Sequence, residues 1–162
     1  MHGLDPARRR VFFQATERDP RQRHVYSIGL DGRGLARLSR EDGTHTALVA
    51  PGGGAYLGTF SSLDAPTSTA LHASDGRLLK VLEDGAIPAL QGRQRSPVEL
   101  GSFTTPDGAR LYTGLVKPPD FVPTRRYPAL LYVYGGPHVQ TVLDEWDGRR
   151  RLFFEHLAAR GL

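Results

Sequence analysis

Residues 127–140 read YPALLYVYGGPHVQ, an apolar run that ends in Tyr134 and breaks at Gly135, Gly136, Pro137 and His138. In an open α/β sheet, catalytic groups gather just beyond the carboxyl ends of the strands, and Tyr134 occupies that position on the strand this run predicts. Gly135 and Gly136 let the backbone turn sharply and approach a ligand without a Cβ, and Pro137 stiffens the exit. A phenol so placed can donate a hydrogen bond to a developing oxyanion, the kind of preorganised stabilisation that dominates acyl transfer. The residues alone also admit a plainer reading, in which Tyr134 is a sheet-end aromatic with its hydroxyl in water and Gly-Gly-Pro is a turn.

Other chemistries find less support. With no cysteine, thiolate metal sites, cysteine nucleophiles and disulfides are excluded. The six histidines show no HExxH or paired spacing, and Glu155-His156 has no second ligand one turn away, so neither a metal nor another cofactor is expected. No P-loop and no GxGxxG follows a strand, and 52–54, three glycines after a proline, reads as a turn and not as a phosphate cradle.

The elements that must position Tyr134 fall into two regions. Asp31-Gly32-Arg33, followed by Leu35, Arg37 and Leu38, recurs 44 positions later as Asp75-Gly76-Arg77, followed by Leu79, Val81 and Leu82. Asp-Gly supplies positive backbone dihedrals for a tight hairpin, and strands are predicted near 46–49, 55–61, 67–73 and 78–83. Four short antiparallel strands per forty-odd residues is the rhythm of a β-propeller blade, with one complete blade and part of another expected. A generic antiparallel sheet with coincidental turns fits the same pattern.

Residues 85–97 are rich in turn formers and read as a connector. Beyond them, 98–104 and 111–117 flank Pro106-Asp107-Gly108 and predict a hairpin, and 128–134 predicts a strand covered on both faces. The last segment predicts a helix that gathers Phe153, Phe154, Leu157 and Ala158 on one face and ends at Gly161. The predicted fold class is therefore mixed: the C-terminal part of a β-propeller, 1–84, then the first strands and helix of an α/β layer structure, 98–162, both incomplete.

Basic residues outnumber acids by 21 to 17 in 162 residues, and only Lys80 and Lys117 are lysines. The arginines are scattered and not interleaved with aromatics as a stripe, so solvated faces are expected and no nucleic-acid partner. No stretch approaches a membrane span, and MHGLDPARRR is not followed by the apolar core of a signal peptide.

The Tyr134 block, preceded by FTTPDGARLYTGLVKPPDF and followed by Trp146 and LFFEHLAARG, resembles the start of the hydrolase domain in the prolyl oligopeptidase family of serine peptidases, dipeptidyl peptidase IV-like branch. In that family an N-terminal propeller precedes an α/β-hydrolase domain, and the order of segments here is similar throughout. The resemblance implies that Tyr134 helps form the oxyanion hole. It also implies that Gly135, Gly136, Pro137 and His138 form the loop shaping that hole. His138 is not thereby the catalytic base; a solvent-facing or hydrogen-bonded histidine is the expectation, and Trp146 is expected to pack.

The family nucleophile sits in a Gly-x-Ser-x-Gly elbow, with Asp and then His further on, and no such pentapeptide occurs in this chain. Gly58-Thr59-Phe60-Ser61-Ser62 has the wrong spacing. The resemblance thus implies a fragment of an enzyme that releases N-terminal dipeptides, often X-Pro, from a peptide substrate, with the isolated chain inactive. It also implies a periplasmic or secreted location and leaves homodimerisation of the parent open. The alternatives are an acylaminoacyl peptidase or oligopeptidase of the same family, or a non-catalytic binding module derived from a propeller.

Overall fold

The computed structural model describes residues 1–93 and 95–162. They divide into two compact units, one of 1–87 with 143–146, the other of 88–142 with 147–162. The region read as a connector, 85–97, includes Gln94, which lies outside the described residues; it carries one short 3-10 turn, Pro88–Leu90.

The first unit is two four-stranded antiparallel sheets. One runs β1 (Gly3–Asp5), β2 (Arg10–Ala15), β3 (His24–Gly29) and β4 (Ala36–Arg37), the other β5 (Thr44–Val49), β6 (Ala55–Ser61), β7 (Ser68–Ala73) and β8 (Leu78–Glu83). Each sheet is ordered as the chain runs, the up-and-down pattern of a propeller blade. The first sheet has all four strands, where the sequence predicts only part of a blade; its outer strands are three and two residues long and carry too few alternating positions to register as strands.

The two Asp-Gly repeats become the same turn at the same place in each sheet. The Gly29 N–H donates to the Arg33 carbonyl and the Gly32 N–H to the Gly29 carbonyl; Ala73, Arg77 and Gly76 repeat this between β7 and β8, each bond 2.9 Å. Only the glycines take positive φ, +77° at Gly32 and +89° at Gly76. The aspartates do not; Asp31 and Asp75 instead accept the N–H of Arg33 and Arg77 through Oδ1. This is the three-residue hairpin with a left-handed glycine at its bulge, not the two-residue turn needing two positive dihedrals.

The glycines differ in what surrounds them. A Cβ at Gly32 would meet nothing within 4 Å, whereas at Gly76 it would lie 2.8 Å from the Leu38 carbonyl oxygen of the neighbouring sheet. Gly32→Ala should therefore cost only the left-handed penalty, roughly 1–2 kcal/mol, and Gly76→Ala distinctly more. Urea unfolding of the two variants checks this, and equal midpoints would contradict the close approach.

The core lies between the sheets, where Phe12, Val25 and Leu38 of the first meet Ala47 and Tyr56 of the second. The Phe12 and Tyr56 rings sit 6.3 Å apart and tilted. Backbone bonds stitch the same junction, from the Arg23 N–H to the Gly43 carbonyl and from the His45 N–H to the Arg23 carbonyl. On the opposite side β8 is exposed along its length, leaving Leu78, Leu79, Val81 and Leu82 about half in solvent.

In the second unit, β9 (Val98–Thr104) and β10 (Arg110–Val116) form the expected hairpin around Asp107-Gly108. The helix α1 (Gly148–Ala158) ends as its sequence implies. Gly161 takes φ +89°, its N–H donates to the Ala158 carbonyl, and the Leu162 N–H reaches the Leu157 carbonyl at 3.2 Å.

Two expectations for this unit are corrected. Residues 128–134 form no ladder with any described strand, and Leu131 and Val133 are 84% and 70% exposed. A strand in a sheet exists only through its neighbours, and among the described residues neither β9 nor β10 pairs with this run. On α1, Phe153 is 54% exposed while Arg151 is 4% exposed. The Arg151 guanidinium bonds Glu155 one turn on at 2.5 Å, and its stem takes buried space assigned by periodicity to an aromatic ring. Arg95 joins the same carboxylate at 2.8 Å, and the two cations hold the Glu155 pKa below its ordinary value against the opposing effect of burial.

Candidate functional site

Tyr134 ends the extended run 128–134, is 44% exposed, and no hydrogen bond within the described residues holds its phenol oxygen. The ring folds forward over Gly136: a Cβ built there would lie 2.7 Å from the hydroxyl oxygen and 2.9 Å from Cζ. Gly136 is thus a matter of space, since neither it nor Gly135 has positive φ. A Cβ at Gly135 would meet nothing, so the structure supplies no local reason for a glycine there. Pro137 and His138 form the exposed turn that follows. Tyr134 and Gly136 are brought together; His138 is left in solvent.

The arrangement offers a donor with no competing partner, held at the mouth of a turn. A phenol in that state can meet an oxyanion without first breaking a bond. Ser61, the serine of the misspaced Gly58–Ser62 stretch, is buried at the end of β6, where its Oγ accepts the Trp146 N–H at 3.3 Å. It is structural. Trp146 lines a surface hollow of the first unit with Pro66, Glu83 and Ile87, in keeping with packing.

A second cluster, which no sequence spacing signals, lies in the first unit. Asp144 accepts the Leu63 N–H through Oδ1 at 3.0 Å and the Gln22 side-chain amide through Oδ2 at 3.3 Å. Its own N–H donates to the Arg21 carbonyl at 2.8 Å and its carbonyl accepts Thr44 Oγ1–H at 3.0 Å. Gln22 Oε1 meets His24 Nε2 at 3.1 Å, and His24 Nδ1 meets Ser39 Oγ at 2.9 Å. His24 is fully buried and stacks on His45 at 5.4 Å between ring centres.

Burial lowers the pKa of both imidazoles below the ordinary 6.5; the His45 ring further disfavours a charge on His24, and a bond to the Glu41 carbonyl only partly offsets the effect of burial at His45. In the unfolded chain both take a proton near 6.5, so below that pH the unfolded state binds more protons and folding weakens. The expected result is full stability above about pH 6.5 and a falling urea midpoint as pH drops towards the lowered folded values. A midpoint flat from pH 7.5 to 5.5 would contradict neutral buried histidines.

Two blade-like sheets packed on a shared apolar core define the class as a piece of a β-propeller carrying a hairpin and a helix beyond it. The family model described as the dipeptidyl peptidase IV N-terminal region matches residues 1–67. A probable dipeptidyl-aminopeptidase B of Emericella nidulans is 30% identical over 98% of this chain and 18% of its own length. Dipeptidyl peptidase 8 of Homo sapiens is 28% identical over the same shares. Among solved structures, dipeptidyl peptidase 4 of Porphyromonas gingivalis superposes with a TM-score of 0.88 at 34% identity, over 99% of this chain and 22% of that one. Through its propeller part, the chain is a member of the dipeptidyl peptidase IV-like family. It spans about a fifth of the length of the relatives it matches. No helix among the described residues is long and apolar enough to cross a membrane.

Proposed function

We propose that this chain is the segment of a serine-type dipeptidyl peptidase in which the last blades, 1–84, pass through a connector, 85–97, into the opening of the α/β-hydrolase domain, 98–162. The enzyme would release N-terminal dipeptides, often X-Pro, by acylating a serine, and Tyr134 would donate to the oxyanion of the tetrahedral intermediate. One observation carries the reading: a half-exposed phenol with no partner lies over Gly136 at the end of an apolar run, in a chain whose relatives are named dipeptidyl peptidases.

The unpaired run 128–134 supports the same reading. Its exposed Leu131 and Val133 suit a strand that further parallel strands would flank on both sides. The nucleophile, its Asp and its His have no counterpart in this sequence, so the isolated 162-residue chain should not turn over a glycyl-prolyl reporter. The gene read past the codon for Leu162 should continue in frame to another strand and a Gly-x-Ser-x-Gly. Robust turnover by the purified chain, or a stop codon directly after Leu162, would overturn the proposal, the latter in favour of a binding module derived from a propeller.

A further inference from the structure

The helix α1 opens by breaking a local rule. Asp147 stands at its N-cap, where a carboxylate ordinarily accepts an N–H of the first turn, yet its side chain caps nothing. Both oxygens go instead to Arg150: Nε donates to Oδ2 at 2.5 Å and Nη2 to Oδ1 at 2.8 Å. Held along one side in this way, the planar guanidinium has its direction fixed and keeps Nη1 for another acceptor. Nη1 donates to the Tyr132 phenol oxygen at 2.6 Å.

Tyr132 is held a second time from the same helix. Phe154 packs its ring 5.6 Å from the Tyr132 ring and tilted by 54°, and the guanidinium carbon of Arg150 lies 5.3 Å from the centre of that ring. Residues four apart share a helix face, so one face of α1 grips a single tyrosine by its hydroxyl and by its ring. All of these residues belong to the second unit.

In an extended chain, positions two apart also share a face, and two positions on from Tyr132 is Tyr134. Val133 between them is 70% exposed, and among the described residues no ladder holds the run 128–134. The braced tyrosine is thus the last held side chain before the phenol that bends over Gly136.

We propose that Arg150 is a positioning residue for Tyr134: oriented by Asp147, it braces Tyr132 against α1 and so sets the end of the run from which the second phenol reaches forward. As a statement about catalysis this rests on Tyr134 being the oxyanion donor; as a statement about the fold it does not. The Arg150 and Asp147 side chains are 42% and 44% exposed, and exposed ion pairs add little to stability. The brace therefore shows in local order and in rate, and its loss leaves the chain folded.

The test has two arms. In the 162-residue chain, 15N relaxation should show the Tyr134 and Gly136 amides moving faster in Arg150→Ala and in Tyr132→Phe than in the wild type, with the urea midpoint held. Both variants remove the same bond, so the double variant should move no faster than Arg150→Ala alone. Arg149→Ala, which removes an equal charge from a neighbouring exposed position of α1, should leave both amides as in the wild type. A Tyr134 amide as rigid in Arg150→Ala as in the parent, or effects that add in the double variant, overturns the proposal.

In the proposed peptidase, Arg150→Ala should lower kcat by roughly tenfold to a hundredfold with KM held, and should cost nothing further once Tyr134→Phe has removed the phenol oxygen. A residue that merely supports the fold would go on lowering kcat in that background, and an equal loss there overturns the positioning role. If Tyr134→Phe itself leaves kcat unchanged while Arg150→Ala still frees the Tyr134 amide, the oxyanion reading fails and the brace stands.

Discussion

In the proposed peptidase, Tyr134→Phe is expected to lower kcat by roughly 100-fold and leave KM and the unfolding midpoint close to their parent values. The substitution removes one oxygen and keeps the ring over Gly136. That oxygen holds no hydrogen bond within the described residues and is attached to a side chain 44% exposed, so the folded state loses no partner when it goes. Under the proposed function, what is lost is a donor to charge that exists only in the tetrahedral intermediate, and such a loss appears in kcat. A rise in KM at constant kcat would instead make Tyr134 a ground-state contact. Because a Cβ at Gly136 would stand 2.7 Å from the hydroxyl, Gly136→Ala should reproduce the kcat defect by pushing the phenol aside with its oxygen intact.

The largest effect on stability is expected at Phe12. It is 1% exposed, sits on β2, and faces Tyr56 across the junction of the two sheets. Phe12→Ala removes a whole ring from a cluster whose other members are Val25, Leu38, Ala47 and Tyr56, and side chains fixed on two separate sheets relax only in part into the space. A buried Phe→Ala costs about 3–5 kcal/mol, a large fraction of the stability of any small domain. The first unit of the variant should melt far below that of the parent or fail to fold at ambient temperature. Leu48→Ala on β5 is the control: Leu48 is 69% exposed and its loss should move the midpoint little. Similar losses at both positions would place the core elsewhere.

The Asp-Gly repeat located two hairpins in the right sheets, because a left-handed glycine after an aspartate is a local requirement that local residues meet. The strands 55–61 and 78–83 and the glycine that ends α1 were readable for the same reason. Pairing was less so. The apolar run 128–134 has the composition of a buried strand, yet composition cannot say which strand lies beside it, and none of those described does. Periodicity also placed Phe153 inward, where the bond between Arg151 and Glu155 decided otherwise.

Of the candidate site, Tyr134 and its loop stand out by residue type and spacing, but not the closeness of the phenol to Gly136, which depends on a side-chain rotamer. The Asp144 cluster was beyond reach. Gln22 and Asp144 are far apart in the chain, and neither residue type nor spacing signals a contact that only the packing of the two sheets creates. His24 read as one histidine among six; its burial and its neutral state come from the β3 and β5 neighbours that surround it.

The most direct test is a crystal structure of the proposed peptidase with its serine oxygen bonded to the boron of a dipeptidyl boronate, a tetrahedral adduct that mimics the tetrahedral intermediate. The account predicts the Tyr134 hydroxyl about 2.7–3.1 Å from the boronate oxygen standing in for the oxyanion, with the ring still resting over Gly136. A phenol turned into solvent, with that oxygen held only by backbone amides or water, would contradict it.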